Sequence, residues 1–96
     1  MSDVQKTLDK RGKNYGSYLD QSCIAENLMS QIEQEKGWKR FPPTHRQATR
    51  MIAIKLARLL NGDPNHADSW HDIAGYASLA EKHCDLQSNK PDTGGE

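Results

Sequence analysis

Residues 44–62, THRQATRMIAIKLARLLNG, decide the fold. Thr44 is a good helix N-cap and Gly62 a good stop, so the stretch reads as one helix from His45 to Asn61. At about 100° per residue, Ala48, Ile52, Leu56, Leu59 and Leu60 form one apolar arc. Met51 and Ile54 lie well away from that arc. A helix that is apolar on more than one side is buried on more than one side, which places it at the centre of a bundle or at a subunit interface. Lys55 and Arg58, three residues apart, share a stripe with Met51 and Gln47. Cations on a central helix need partners, because an unpaired buried charge costs several kcal/mol.

The partners are expected on the next helix, from about Ala67 to Leu86, reached through the Asp63-Pro64-Asn65 turn. Its spacing offers two stripes. Trp70, Ile73, Ala74, Ala77 and Cys84 make the expected packing face. Asp68, Asp72, Tyr76, Leu79 and His83 make a second. Asp68 and Asp72 project together near the helix N-terminus, where the dipole favours negative charge.

Upstream, Ser17 can cap a helix to about Lys36, with Ile24, Ala25, Leu28, Met29 and Ile32 at helical spacing. Trp38 and Phe41 read as apolar plugs in a loop that Pro42-Pro43 holds extended. A short first helix starts near Ser2-Asp3 and closes at Arg11-Gly12, followed by a turn over Lys13-Asn14-Tyr15-Gly16. No stretch alternates like a strand. The expectation is an all-α bundle of one short and three longer helices, a single domain over residues 1–86 with a loose tail over 87–96.

Ninety-six residues with 34% apolar side chains bury a thin core, so a homo-oligomer, most simply a dimer, is the expected state. No apolar run approaches a membrane span and the N-terminal stretch lacks the apolar region of a signal peptide, so a cytoplasmic chain with reduced Cys23 and Cys84 is expected. The zero net charge hides a segregation. Residues 1–35 carry −2, residues 36–62 carry +7 with no carboxylate at all, and residues 63–96 carry −5. Either a basic middle helix packs beside an acidic last one, or the basic stretch forms an anion site.

Two chemistries fit Lys55-x-x-Arg58 followed by Asp68-x-x-x-Asp72. One is a salt-bridge cluster between adjacent helices. The other uses Asp68 and Asp72 as oxygen ligands for Mg²⁺, Lys55 and Arg58 as phosphate clamps, and Tyr76 beside a base or sugar. His66, His71, His83 and Cys84 lack paired-ligand spacing, so no zinc is expected, and a Cys–His nucleophile has no better support. The acidic last helix is poorly suited to lie on nucleic acid.

Three motifs carry a resemblance. They are Arg11-Gly12-x-x-Tyr15-Gly16, then Met51-Ile52-Ala53-x-Lys55-x-x-Arg58-x-x-x-Gly62-Asp63-Pro64, then Asp68-x-Trp70-x-Asp72-Ile73-Ala74-Gly75-Tyr76. Together they resemble a family of small phage and prophage proteins of unknown function, over residues 11–80. The helical layout and acidic last helix are similar, more distantly, to MazG-like nucleotide pyrophosphohydrolases, in which Glu/Asp clusters on two helices hold Mg²⁺. That likeness is one of fold alone. The resemblance implies acidic residues near the start of the third helix, yet His45-Arg46-Gln47-Ala48-Thr49-Arg50 has none. Glu26, Glu33 or Glu35 on the second helix would have to substitute.

Two functions follow. The first is an accessory protein that binds a host partner or a phosphate-bearing nucleotide without clear catalytic machinery. Arg46 and Arg50 serve the partner there, while Lys55, Arg58 and Tyr76 serve the nucleotide. The second is a Mg²⁺-dependent nucleoside triphosphate pyrophosphohydrolase with Asp68 and Asp72 on the metal. The missing acidic cluster favours the first and leaves catalysis open.

Overall fold

A computed structural model describes residues 3–88, all of whose regular structure is helical. Four α-helices follow in order: α1 (Asp3–Tyr15), α2 (Tyr18–Glu33), α3 (Pro43–Asn61) and α4 (Ala67–Ser88). A 3-10 segment, Lys36–Arg40, joins α2 to α3. The tail expected over 87–96 begins as the last turn of α4, and from residue 89 it lies outside the described residues. Among the described residues, no helix is long and apolar enough to cross a membrane.

The helix signals act mostly where expected. The Ser17 hydroxyl accepts the Asp20 backbone N–H at 3.0 Å and caps α2. Asp63 Oδ1 accepts the Asn65 N–H at 2.9 Å, closing the turn into α4. Two expected boundaries are corrected. The first helix does not close at Gly12 but runs to Tyr15 and ends at Gly16, whose φ is 78°. A Cβ at Gly16 would collide with the Asn61 backbone oxygen, so close packing of the α1–α2 junction on the end of α3 requires glycine there. The start of α3 is set by Pro43 at its first position with Pro42 as N-cap, not by Thr44.

α3 lies between α2 and α4 and is in contact with both, as its apolar residues on several sides predict. The buried apolar residues are mostly alanine: Ala25 on α2 and Ala48, Ala53 and Ala57 on α3, joined by Met29 on α2 and Leu59 on α3. Several large apolar side chains stay outside. Leu60 is 68% exposed, and on α1 Val4 and Leu8 are 68% and 53% exposed.

The expected packing face of α4 is also corrected. Trp70, Ala74, Ala77 and Cys84 are exposed, and Ile73 alone of that set is half-buried. The face turned inward carries buried Ser69 with half-buried Asp72, Ile73, Tyr76, Ala80 and His83. It follows the acidic stripe more closely than the tryptophan stripe. The reason is polar. Asp72 meets Lys55, while the Trp70 indole N–H donates to the Pro64 carbonyl at 2.8 Å and is held at the α3–α4 turn. A helix this poor in large aliphatics orients by its polar partners, because its alanines give little preference for either side.

Candidate functional site

The sequence-selected residues fall on two faces of α3. On the face toward α2, Arg46 and Arg50 stand beside the 3-10 segment. Arg46 binds the carbonyls at the end of the 3-10 segment, where helical partners run out. Its Nε donates to the Phe41 carbonyl at 2.9 Å, and one terminal nitrogen reaches the Trp38 and Lys39 carbonyls at 3.4 and 3.5 Å. The same guanidinium lies 5.4 Å from the centre of the Trp38 ring, and that of Arg50 lies 5.9 Å from it. Trp38 packs against Phe41 with ring centres 5.1 Å apart. The loop aromatics are therefore held in place by arginine, half-exposed, and are not sunk into the core.

Phe41, Pro43, Arg46, Gln47 and Arg50 line an open groove of about 470 Å³. A second groove of about 320 Å³ runs between α2 and Arg50, with Glu26, Met29 and Glu33 in its wall. Arg50 belongs to both grooves and pairs with Glu33 at 3.0 Å. Both side chains of that pair remain well exposed, so the ion pair is exchangeable with a ligand anion. Lys36, Lys39 and Arg40 are exposed along the same segment.

On the face toward α4, Lys55 Nζ meets Asp72 Oδ2 at 2.8 Å. The Lys55 side chain is only 12% exposed. The hydrogen bond from Lys55 and then its charge hold the Asp72 carboxyl below the ordinary aspartate range, with smaller help from His71 and Arg58. Arg58 and Tyr76 are half-buried in the same region of the chain, whereas Asp68 is exposed in the first turn of α4. Among the described residues no three His, Cys, Asp or Glu side chains come together to hold a metal. Mg²⁺ asks for near-octahedral oxygen coordination, and Asp68 with an ion-paired Asp72 supplies too little of it. Nor does the second helix make up the deficit. Glu33 is engaged by Arg50 on the opposite face of α3, and Glu26 lines the groove there.

One pairing was missed from the sequence. The His45 Nε2 lies 3.3 Å from the Cys84 sulfur, and the His45 Nδ1 lies 3.0 Å from the Thr44 hydroxyl. The signal was available once Lys55 and Asp72 are matched. In an antiparallel helix pair, stepping ten residues back along α3 and twelve forward along α4 leads from that ion pair to His45 and Cys84.

Neither the curated proteins nor the solved structures contain a match to this chain. A family model described as a domain of unknown function, DUF6378, matches residues 1–84, which takes in α1, α2, α3 and most of α4. The chain belongs to the DUF6378 family.

Proposed function

We propose that this chain is a phage or prophage accessory protein that works inside the host cell by binding and not by catalysis. Its basic–aromatic groove takes an acidic segment of a host protein. The observation that carries the reading is the Arg46 clasp, which fixes Trp38 and Phe41 at the surface beside an exchangeable Arg50. Arginine and aromatic side chains dominate the energetics of protein interfaces, and a rigid pair of them costs little ordering entropy on binding. The exposed cations of the 3-10 segment add the field that would attract an acidic partner.

A homodimer belongs to the same proposal. Val4, Leu8, Tyr18, Leu19 and Leu60 are 53–75% exposed. The last three are chain neighbours of Ser17 and Asn61, which a hydrogen bond from the Asn61 side chain to the Ser17 carbonyl holds together. An apolar surface of that kind is what a second copy would cover in a chain whose own core is mostly alanine.

The second reading is a phosphate-bearing nucleotide at Lys55, Arg58 and Tyr76, with or without Mg²⁺ on Asp68 and Asp72, as in a MazG-like pyrophosphohydrolase. The convergence of Lys55 on Asp72 favours it in part, since a phosphate could displace the carboxylate. Calorimetry separates the two. Wild type is titrated with a poly-glutamate peptide and with ATP, each with and without Mg²⁺. The binding proposal expects peptide affinity that Trp38→Ala and Arg50→Ala weaken and Asp72→Asn spares. ATP binding that needs Mg²⁺ and is lost in Asp72→Asn would overturn it in favour of the nucleotide.

A further inference from the structure

We infer that Cys84 is a site of covalent thiol modification, reacting with small-molecule disulfides and assisted by His45. The protein carries two exposed cysteines, and they differ in one respect. Cys84 has an imidazole nitrogen 3.3 Å from its sulfur, while Cys23 on α2 has no such contact among the hydrogen bonds of the described residues. The imidazole is itself oriented. Nδ1 lies 3.0 Å from the Thr44 hydroxyl, and in the tautomer that donates Nδ1–H to that hydroxyl, Nε2 presents its lone pair to the thiol. The Phe41 ring meets the His45 ring edge-on, with ring centres 6.2 Å apart. A nucleophile, a base within reach and a third group that orients the base make the arrangement by which thiols are activated.

The reaction class follows from what surrounds the pair. Both grooves lie on the α2 side, lined by Arg50, and neither includes His45 or Cys84 in its wall. A shaped acyl-substrate pocket is therefore not part of the proposal. Thiol–disulfide exchange needs none, only a thiolate and access. In the step, the Cys84 S–H proton passes to His45 Nε2 and the sulfur attacks one sulfur of the disulfide. The disulfide S–S bond breaks, a mixed disulfide forms on Cys84, and the departing thiolate takes the proton back from His45. One disulfide and the Cys84 thiol are consumed, one mixed disulfide is formed on Cys84, and one small thiol is released.

Single-cysteine variants test this with an internal control. Cys23→Ser leaves Cys84 alone, and Cys84→Ser leaves Cys23 alone. Each reacts with an excess of a chromogenic aromatic disulfide at pH 7, with the adduct located by mass spectrometry. Cys84 is expected to react about tenfold faster than Cys23, the scale on which neighbouring groups tune exposed thiols. His45→Gln in the Cys23→Ser chain is expected to bring the rate down to that of Cys23. Thr44→Val should give an intermediate rate, with unchanged helical circular dichroism in both variants. Equal rates for the two cysteines, or a rate unmoved by His45→Gln in a folded chain, overturn the proposal.

Discussion

α3 meets its two neighbours in different ways. Toward α2 it presents Ala53 and Ala57, 2% and 0% exposed, with Arg46 and Arg50 on the same side at the open end. Toward α4 it presents Lys55, with Ala48 and Leu59 on the same side of the helical wheel. One seam is made of small side chains, which let helix backbones approach closely. The other has an ion pair in the middle of thin apolar packing. Small-residue packing is tolerant of sequence on its rim, and the rim is where the arginine–tryptophan cluster sits. A near-buried cation tolerates little, because everything around it must keep its partner in place. The α4 seam therefore holds its cation under cover, whereas the rim of the α2 seam leaves Arg50 and its partner Glu33 exposed.

The contrast can be broken by substitution. The largest effect is expected at Leu59, the one large aliphatic buried on α3 at 5% exposure. Leu59→Ala should cost about 2–5 kcal/mol in chemical denaturation, because truncation leaves a cavity as well as losing transfer energy. A cost below that range would mean the seam collapses to fill the space. Next comes overpacking of the α2 seam. Ala57→Leu at a fully buried position should cost roughly 1–3 kcal/mol by the same measurement. A neutral result would show that α2 and α3 separate easily and that the small-residue seam is not tight.

Asp72→Asn tests the polar seam, and it leaves Lys55 buried without a counter-ion. Stability should fall at pH 7, read as a lower thermal midpoint. The sign of its pH dependence is fixed by the depressed Asp72 carboxyl. A carboxylate with a lowered folded-state value stabilises above its unfolded value of about 3.9, and that stabilisation fades as pH falls through the folded one. The gap between wild type and variant should therefore be full at neutral pH and shrink below about pH 4. A gap that persists in acid would show that Lys55 and Asp72 are not energetically linked.

Smaller effects belong to the exteriors of the two seams. Trp70 is 51% exposed, so Trp70→Ala should cost about 1 kcal/mol, well short of a buried aromatic. Glu33→Gln, which opens the exposed pair with Arg50, should change stability by less than about 1 kcal/mol. If that substitution also strengthens the binding of acidic peptide, it sharpens the contrast, since Arg50 is then released to a ligand.

Local signals in the chain determined its elements. Ser17, Gly62 and the Asp63-Pro64-Asn65 turn each act on a few neighbouring residues, so a linear reading finds them, whereas the prolines at 42 and 43, read as loop with Thr44 as the cap, open α3 themselves. The central place of α3 was legible too, because Met51 and Ile54 fall outside its main apolar arc. The end of α1 is not of this local kind. Gly12 and Gly16 are both plausible stops by composition, and contact with Asn61 selects the second.

Only the tertiary structure decided which side of α4 faces inward. The tryptophan stripe is the more apolar of the two, yet the inward face follows the acidic one. The choice falls to a pair whose members are seventeen residues apart in sequence, Lys55 and Asp72. Pairing energy depends on distance in space, which periodicity along one helix does not contain. The same register brings His45 to Cys84, and neither residue's own neighbours announce it. Most helix boundaries are written locally, and so is the Trp70–Pro64 hydrogen bond, whereas the roles of Asp72 and Cys84 were set by what the opposite helix carried.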